Sequence, residues 1–444
     1  MKVRVGLIAT VVAAVFGSLC SAAFAVTPGW ECVPTTAGQA VTSGGTGSSP
    51  SCGSGSAAVL APTYVSAGVG GNATAQFSGV NVQVVNGSGS ETTLNGEGNL
   101  VIGYDPSPRI QTGSHNLLVG EGLEDTSYGG VVAGSDNSIT GAEATVTGGS
   151  YNTASGQQSS VSGGVANVAT GPYSSVSGGY TNTASQNTSS VSGGYNNTAS
   201  GVEGSVSGGN NNTASGGGAS ILGGSGNIAS GIDATITGGV ANRASGGSSS
   251  VSGGENNNTT TSGQYSSISG GESNATILPG SSVSGGSSNT ASGQDSSISG
   301  GNRNTAGANA SSVSGGQNNT AGATDSSVSG GNGDVASGQA SWAGGGSNNT
   351  ASGYQAAVLG GYGNQAQPNS NGANMTVVGG NSNHATGDTS TVSGGFYNTA
   401  SGRGSSVSGG ESNTAAGVAA AILGGNGNSV FGNCGTFPAT GQGC

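Results

Sequence analysis

The sequence predicts an all-β protein, a parallel β-roll or β-solenoid of about 22 coils with a 15-residue repeat. Only 32% of the 444 residues are hydrophobic and 4% aromatic, too few for an ordinary globular core. The 94 glycines follow no Gly-X-Y triplet, and only 10 prolines accompany them, which excludes collagen. A unit of the form SVSGG..NTASG instead returns at fixed spacing, as in a repeat protein.

Residues 1–25 have the pattern of a secretory signal peptide. Lys2 and Arg4 form a positive start, residues 5–16 are mostly apolar, and an Ala-Phe-Ala triplet ends at Ala25. We expect cleavage near Ala25 and a mature chain that is secreted or displayed at the cell surface. An uncleaved anchor is the alternative, although the apolar run is short for spanning a bilayer.

The mature chain is strongly acidic. Removing the signal takes Lys2 and Arg4 with it and leaves four arginines against 18 acidic residues, a formal charge of −14. Such a surface repels nucleic-acid phosphates and anionic lipids. We therefore expect no nucleic-acid partner and no membrane insertion after cleavage.

The remaining cysteines lie near the two ends of the mature chain. Their even number in an exported chain predicts two local disulfides, Cys32–Cys52 and Cys434–Cys444, which act as end staples. Residues 26–75 are rich in Gly, Ser and Thr and are predicted to be a linker or a loosely ordered tip. Residues 433–444 form a cysteine-containing tail.

Residues 76–98 are predicted to be a β-rich cap. Phe77, Val80, Val82 and Val84 lie in a β-like stretch that would cover the hydrogen-bonding edge of the first coil. An uncovered edge would invite aggregation, so a cap is expected here.

The solenoid is predicted over residues 99–432, with one aliphatic marker residue in each coil. Markers recur every 15 residues, except for steps of 17 and 19 where insertions fall around residues 257–262 and 365–374. The opening coils carry more aliphatic residues than the later ones. The predicted core comprises Leu100, Ile102, Leu117, Val119, Val146, Val161, Val176, Val191, Val206, Ile221, Ile236 and Val251.

An asparagine follows each marker by six residues and is usually followed by an inward alanine two residues later. This column holds Asn in 19 of 20 coils, and Asp334 is the exception. Its first members are Asn137, Asn152, Asn167, Asn182, Asn197 and Asn212. Stacked asparagines either hydrogen-bond their neighbours above and below or adopt the left-handed conformation of a tight corner, so we expect a structural role.

Each coil offers the core only about one Val or Ile and one Ala. Burying a valine stabilises by roughly 1.5 to 3 kcal/mol, whereas ordering each of the coil's residues costs about 1 to 2 kcal/mol. A single coil therefore cannot fold alone. Ladder hydrogen bonds between coils supply part of the difference, and we expect packing between chains to supply more.

These units resemble the YadA-like heads of trimeric autotransporter adhesins over about residues 78–432. The lead-in segments NLVIGYD, RIQTGSHNLLVG and SYGGVVAGSDNSITG share the resemblance. It implies a left-handed parallel β-roll, three chains side by side, a bacterial surface location and adhesion to an extracellular matrix protein or a glycan.

The matching positions are the inward Val176, the turn glycine Gly179 and the inward Ala184. The family's second inward aliphatic is Gly178 here, and the coil is one residue longer. After Ile422 we find neither stalk heptads nor barrel strands, so we expect a head without its usual stalk and anchor. The resemblance names no particular ligand.

We predict no enzymatic activity, cofactor or metal. His115 and His384 are the two histidines, and the glycine pairs lack a Walker lysine and a strand-to-helix setting. Trp342 replaces an outward serine before the weak marker Ala343. It either contacts a sugar or packs at a chain interface or over its own coil.

Two other functions remain open. Serines flanking each marker, such as Ser175 and Ser177, form a hydroxyl lattice with a strand spacing of roughly 4.8 Å, which suggests ice binding. That lattice lacks the methyl groups of threonine. A structural protein of a surface layer or matrix is the third possibility.

Overall fold

The computed structural model describes residues 68–77, 81–104, 110–369 and 372–437, together with the backbone of four strands before them. The chain forms two units, residues 1–83 and 84–444. The predicted signal peptide, Val80, Cys52 and Cys444 lie outside the described residues. Signal cleavage and both disulfides therefore stay predictions.

The first unit contains antiparallel β-structure. Strand Gly29–Pro34 pairs with Thr42–Thr46 and with Ser56–Leu60, and strand Thr63–Val65 pairs with Thr74–Gln76. The segment expected to be a linker or loosely ordered tip thus includes β-strands. Within the described parts of the chain no helix is long and apolar enough to cross a bilayer.

The second unit is a parallel β-solenoid of about 22 coils, which confirms the predicted fold class. The coils from strand Thr145–Val146 onward are called the regular coils, and each of them contributes one strand to each of two parallel sheets. We call them the valine sheet and the alanine sheet after their most frequent buried residue.

The valine sheet comprises Leu100–Ile102, Leu117–Glu121, Val131–Ser135, Thr145–Val146, Ser160–Val161, Ser175–Val176, Ser190–Val191, Ser205–Val206, Ser220–Ile221, Thr235–Ile236, Ser250–Val251, Ser267–Ile268, Ser282–Val283, Ser297–Ile298, Ser312–Val313, Ser327–Val328, Trp342–Ala343, Ala357–Val358, Thr376–Val377, Thr391–Val392, Ser406–Val407, Ala421–Ile422 and Thr436–Phe437.

The alanine sheet comprises Glu124–Asp125, Ser138–Ile139, Thr153–Ala154, Val168–Ala169, Thr183–Ala184, Thr198–Ala199, Thr213–Ala214, Ile228–Ala229, Arg243–Ala244, Asn258–Thr259, Ala275–Thr276, Thr290–Ala291, Thr305–Ala306, Thr320–Ala321, Val335–Ala336, Thr350–Ala351, Gln365–Ala366, His384–Ala385, Thr399–Ala400, Thr414–Ala415 and Ser429–Val430.

Successive coils stack in register. Val176 pairs with the markers before and after it, Val161 and Val191, and Ala184 pairs likewise with the alanines of its neighbouring coils. The inserted residues do not break either sheet, because Val251 still pairs with Ile268 across the 17-residue step. The valine sheet ends at Thr436–Phe437, a few residues beyond the predicted end of the solenoid.

The predicted core is confirmed in the regular coils, where every marker from Val146 to Val251 is at most 1% exposed. It is wrong in the opening coils. Leu100 and Ile102 are 50% and 54% exposed, and Leu117 and Val119 are only partly buried.

The core residue of the second coil is instead Leu118, which is 1% exposed. The ladder pairs Leu118 with the buried Val132, and Val132 with Val146. Side chains alternate between the two faces of a strand, so Leu117 and Val119 must lie on the outer face. The predicted core positions of the opening coils are therefore one residue out of phase with the buried positions of the sheet.

Residues 81–98, expected to form part of a β-rich cap, contain turns and no strand. Asn86 organises them: its side-chain amide donates to the carbonyls of Ser90 and Thr93, at 3.2 and 2.8 Å. Its backbone N–H donates to Nε2 of His115 at 3.1 Å. Among the described residues, strand Leu100–Ile102 pairs on one side only, with Leu117–Glu121.

Candidate functional surfaces

The asparagine column is a continuous hydrogen-bonded ladder inside the solenoid. The backbone N–H of Asn182 donates to Oδ1 of Asn167 at 2.9 Å, and Asn182 Oδ1 accepts from the N–H of Asn197 at 2.9 Å. Its side-chain amide donates to the carbonyls of Gly178 and Gly194, at 2.9 and 3.0 Å. The asparagines therefore have a structural role, because each one joins three consecutive coils.

The left-handed corner falls one residue before the column and not in it. Thr181, Asn196 and Asn211 have φ between +52° and +55°, whereas Asn182 keeps a negative φ and is fully buried. Of the two roles that the sequence left open for asparagine, the column therefore performs the hydrogen-bonding one.

The second glycine of each pair is required by close approach between coils. A Cβ on Gly179, whose φ is +89°, would lie 2.3 Å from the Gly194 carbonyl oxygen and 2.5 Å from the amide of Asn182. No atom lies within 4 Å of a Cβ built on Gly178. Gly179 thus makes room for the asparagine ladder, and Gly178 tolerates a side chain sterically.

A buried serine column, which the sequence interpretation missed, runs two residues before the markers. Ser189 and Ser249 each donate their hydroxyl to the carbonyl three residues earlier, at 2.7 Å. Ser174 is also fully buried. The repeated Ser-Ser-Val motif could have indicated this column, because only the second serine of the motif points outward.

The two sheets carry different outer chemistry. Regular coils of the valine sheet present serines, such as Ser175 and Ser177, on the outside. In many coils the alanine sheet presents a threonine at the position before the alanine, including Thr183, Thr198 and Thr213, which are each followed two residues later by a serine. Where these threonines stand in consecutive coils, as at Thr183, Thr198 and Thr213, the alanine sheet presents two rows of hydroxyl groups, one of them bearing methyl groups.

A corner of the solenoid carries exposed aromatic rings that the sequence interpretation also missed. Tyr180 and Tyr195 lie in neighbouring coils with ring centroids 5.4 Å apart and ring planes inclined by 4°. They are 47% and 52% exposed. One face of each ring is covered by the other ring, and the remaining exposed parts of both rings are what a ligand could contact.

Trp342 lies on the outer face of the valine sheet and is 38% exposed. Its indole N–H donates to the hydroxyl of Ser329 at 2.9 Å. Gly344 leaves room beside the ring, since a Cβ there would approach the indole to 3.1 Å. The side chain thus bonds the preceding coil, lies beside Gly344 of its own coil and is partly available to a ligand.

The histidines do not form a common site. His115 bonds the turn at Asn86, whereas His384 lies on the alanine sheet between Gln365 and Thr399. Partial burial lowers the pKa of His384. Over the described ranges, no group of three His, Cys, Asp or Glu side chains is placed to hold a metal ion.

Comparison with models of known protein families found no match. No curated protein matches the chain either.

Proposed function

We propose that this chain is a secreted or cell-surface structural protein, similar to the YadA-like heads, that attaches its bearer to extracellular matrix proteins, glycans or other surfaces. We propose no catalytic role for it. The observation that carries the proposal is the in-register stacking of about 22 coils, which repeats the same outer groups at every step.

Repetition compensates for weak individual contacts. The coils stack at roughly 4.8 Å, so the solenoid unit extends over the order of 100 Å. When one contact forms, its neighbours meet the same surface at high effective concentration, and the total affinity exceeds that of any one contact. A polar rod of this kind needs no deep pocket to bind.

We also propose that the chain acts as a homotrimer. An apolar patch on the outer face of the valine sheet supports an association between copies. The patch comprises Leu100, Ile102, Leu117, Val119, Val131 and Ala133. In the next coil the same face presents Thr145, and in the coil after that it presents Ser160. The apolar contact, and with it the association, is therefore concentrated in the first three coils.

A binding array of matrix proteins and glycans tests the attachment function. We expect the wild-type oligomer to bind at least one class of surface, with weaker binding by its separated subunits. The double variant Tyr180→Ser and Tyr195→Ser, compared with Trp342→Ser, distinguishes the aromatic corner from the valine face. Absence of binding to every arrayed surface would contradict the proposal.

Ice binding is a second candidate, favoured by the threonine row on the alanine sheet. Thr183, Thr198 and Thr213 stand in consecutive coils and supply the methyl groups that the serine face lacks. Thermal hysteresis of the purified protein tests it. Thr198→Lys should abolish hysteresis while Ser192→Lys, on the valine sheet, leaves it unchanged.

A further inference from the structure

Asp334 occupies the asparagine column where every regular coil needs a hydrogen-bond donor. In the coil before it, the side-chain amide of Asn319 donates to the carbonyls of Gly315 and Gly331, at 2.8 and 3.0 Å. A carboxylate has no hydrogen to donate in that position. Asp334 is nevertheless 0% exposed.

One carboxyl oxygen of Asp334 is satisfied and the other is not. Oδ1 accepts from the backbone and the side-chain N–H of Asn349, at 2.8 and 2.9 Å. Oδ2 is buried and has no hydrogen-bond partner. A Cβ on Gly331 would lie 2.0 Å from Oδ2, just as one on Gly316 would lie 2.4 Å from the Asn319 amide nitrogen.

Oδ2 therefore takes the place of the amide nitrogen, which in the preceding coil donates to two glycine carbonyl oxygens. A proton on Oδ2 would restore the missing hydrogen bond at the spacing that the column already has. A cation would have to push the oxygens apart in a corner closed to solvent. We propose that Asp334 is protonated in the folded protein, and that its coil is where the solenoid opens when this proton is lost.

The packing around Asp334 is the second observation. The coil that contains Asp334 has Val328 as its marker, but the marker of the next coil is Ala343 instead of Val or Ile, so the coil directly after Asp334 has a smaller core than its neighbours. The buried hydrophobic residues form two clusters, one ending at Ala343 and the next beginning at Ala351. The core is thus interrupted one coil after the buried acid.

Among the residues that the structure describes, no ionisable side chain faces Asp334. Its neighbours in the column are Asn319 and Asn349. The neighbouring turns that pack against Asp334 contain glycines, and the strand that follows Asp334 is Val335–Ala336. Asp325, the nearest acid in sequence, is exposed. Loss of the proton would leave a negative charge without a compensating cation.

Burial raises the pKa of Asp334 above its usual value of 3.8, and the hydrogen bonds from Asn349 oppose this only in part. A carboxyl group whose pKa is raised on folding favours the folded chain below the unfolded pKa. That contribution is lost as the pH rises through the folded-state pKa. The wild-type coil should therefore weaken from acid toward alkaline pH.

Restoring the asparagine tests the proposal without risking the fold. We expect Asp334→Asn to melt at a higher temperature than the wild type at pH 8, with the difference shrinking toward zero near pH 4. Hydrogen exchange should locate the effect: at alkaline pH the wild-type coils around Asp334 should open about tenfold more than the variant for each unit of raised pKa. A difference that does not change with pH would overturn the proposal.

Two controls make the outcome specific. Asp325→Asn removes an exposed acid close by in sequence and should leave the melting curve unchanged at every pH. Calcium or potassium chloride added at neutral pH should stabilise the wild type and Asp334→Asn equally. Selective stabilisation of the wild type would identify a cation site in place of the proton and would refute the inference.

Discussion

The first three coils and the regular coils share one interior but differ on the outer face of the valine sheet. Leu117 and Val119 stand outside in the second coil, where Ser175 and Ser177 stand in a regular coil. The buried positions beneath them, Leu118 and Val176, are both aliphatic. The inner columns therefore set the fold, and the outer positions are available to set what the rod associates with.

The largest expected effect comes from making the outer face of the first coils like that of the regular ones. The double variant Leu117→Ser and Val119→Ser should dissociate the oligomer, because it removes apolar area from the first three described coils, whose outer positions on this face are aliphatic. Light scattering at micromolar concentration measures the mass. The control Ser190→Ala and Ser192→Ala changes the same face in a regular coil and should leave the mass unchanged.

A monomeric wild type would contradict the association itself. Unchanged mass in the double variant would move the interface elsewhere on the chain. Folding should survive in either case, since Leu117 and Val119 are only partly buried while Leu118 is retained.

The shared interior predicts the next largest effect. Asn182→Ala removes two donated hydrogen bonds and the acceptor for Asn197 N–H. Each buried group left unpaired costs about 1 to 3 kcal/mol, so we expect a loss of roughly 3 kcal/mol or more in unfolding free energy. Urea denaturation measures it, and a loss no larger than that of the exposed control Asn187→Ala would mean that the ladder contributes little.

Periodicity was enough to predict the solenoid, because a marker every 15 residues and one asparagine per coil leave few other architectures. It was not enough to fix the phase of the opening strands. Leu117, Leu118 and Val119 are all aliphatic, so alternation gives no signal within that strand, and only pairing with Val132 decides which one is buried.

The stacking of Tyr180 on Tyr195 and the unpaired carboxyl oxygen of Asp334 could not be predicted from the sequence for a different reason. The sequence places Tyr180 and Tyr195 one coil apart, but ring stacking depends on side-chain direction. Likewise, Asp334 was visible as the exception in its column, whereas its unpaired Oδ2 depends on which atoms of the neighbouring turns point at it. Repeat position predicted the neighbours, and atomic geometry determined the interactions.

The smallest expected effect tests the corner beside the asparagine ladder. Thr181 holds φ at +54°, a conformation that is costly for a β-branched residue, and equivalent corners of other coils use Gly226 and Gly333. Thr181→Gly should therefore stabilise the chain by about 0.5 to 1 kcal/mol, the relief of the left-handed strain exceeding the added flexibility of the unfolded chain. The same substitution two residues later, Thr183→Gly in an extended strand, should destabilise it, since no left-handed strain is relieved there. A melting temperature that falls for Thr181→Gly as much as for Thr183→Gly would show that the corner stores no strain, and that left-handed residues are as well accommodated in these coils as strand residues.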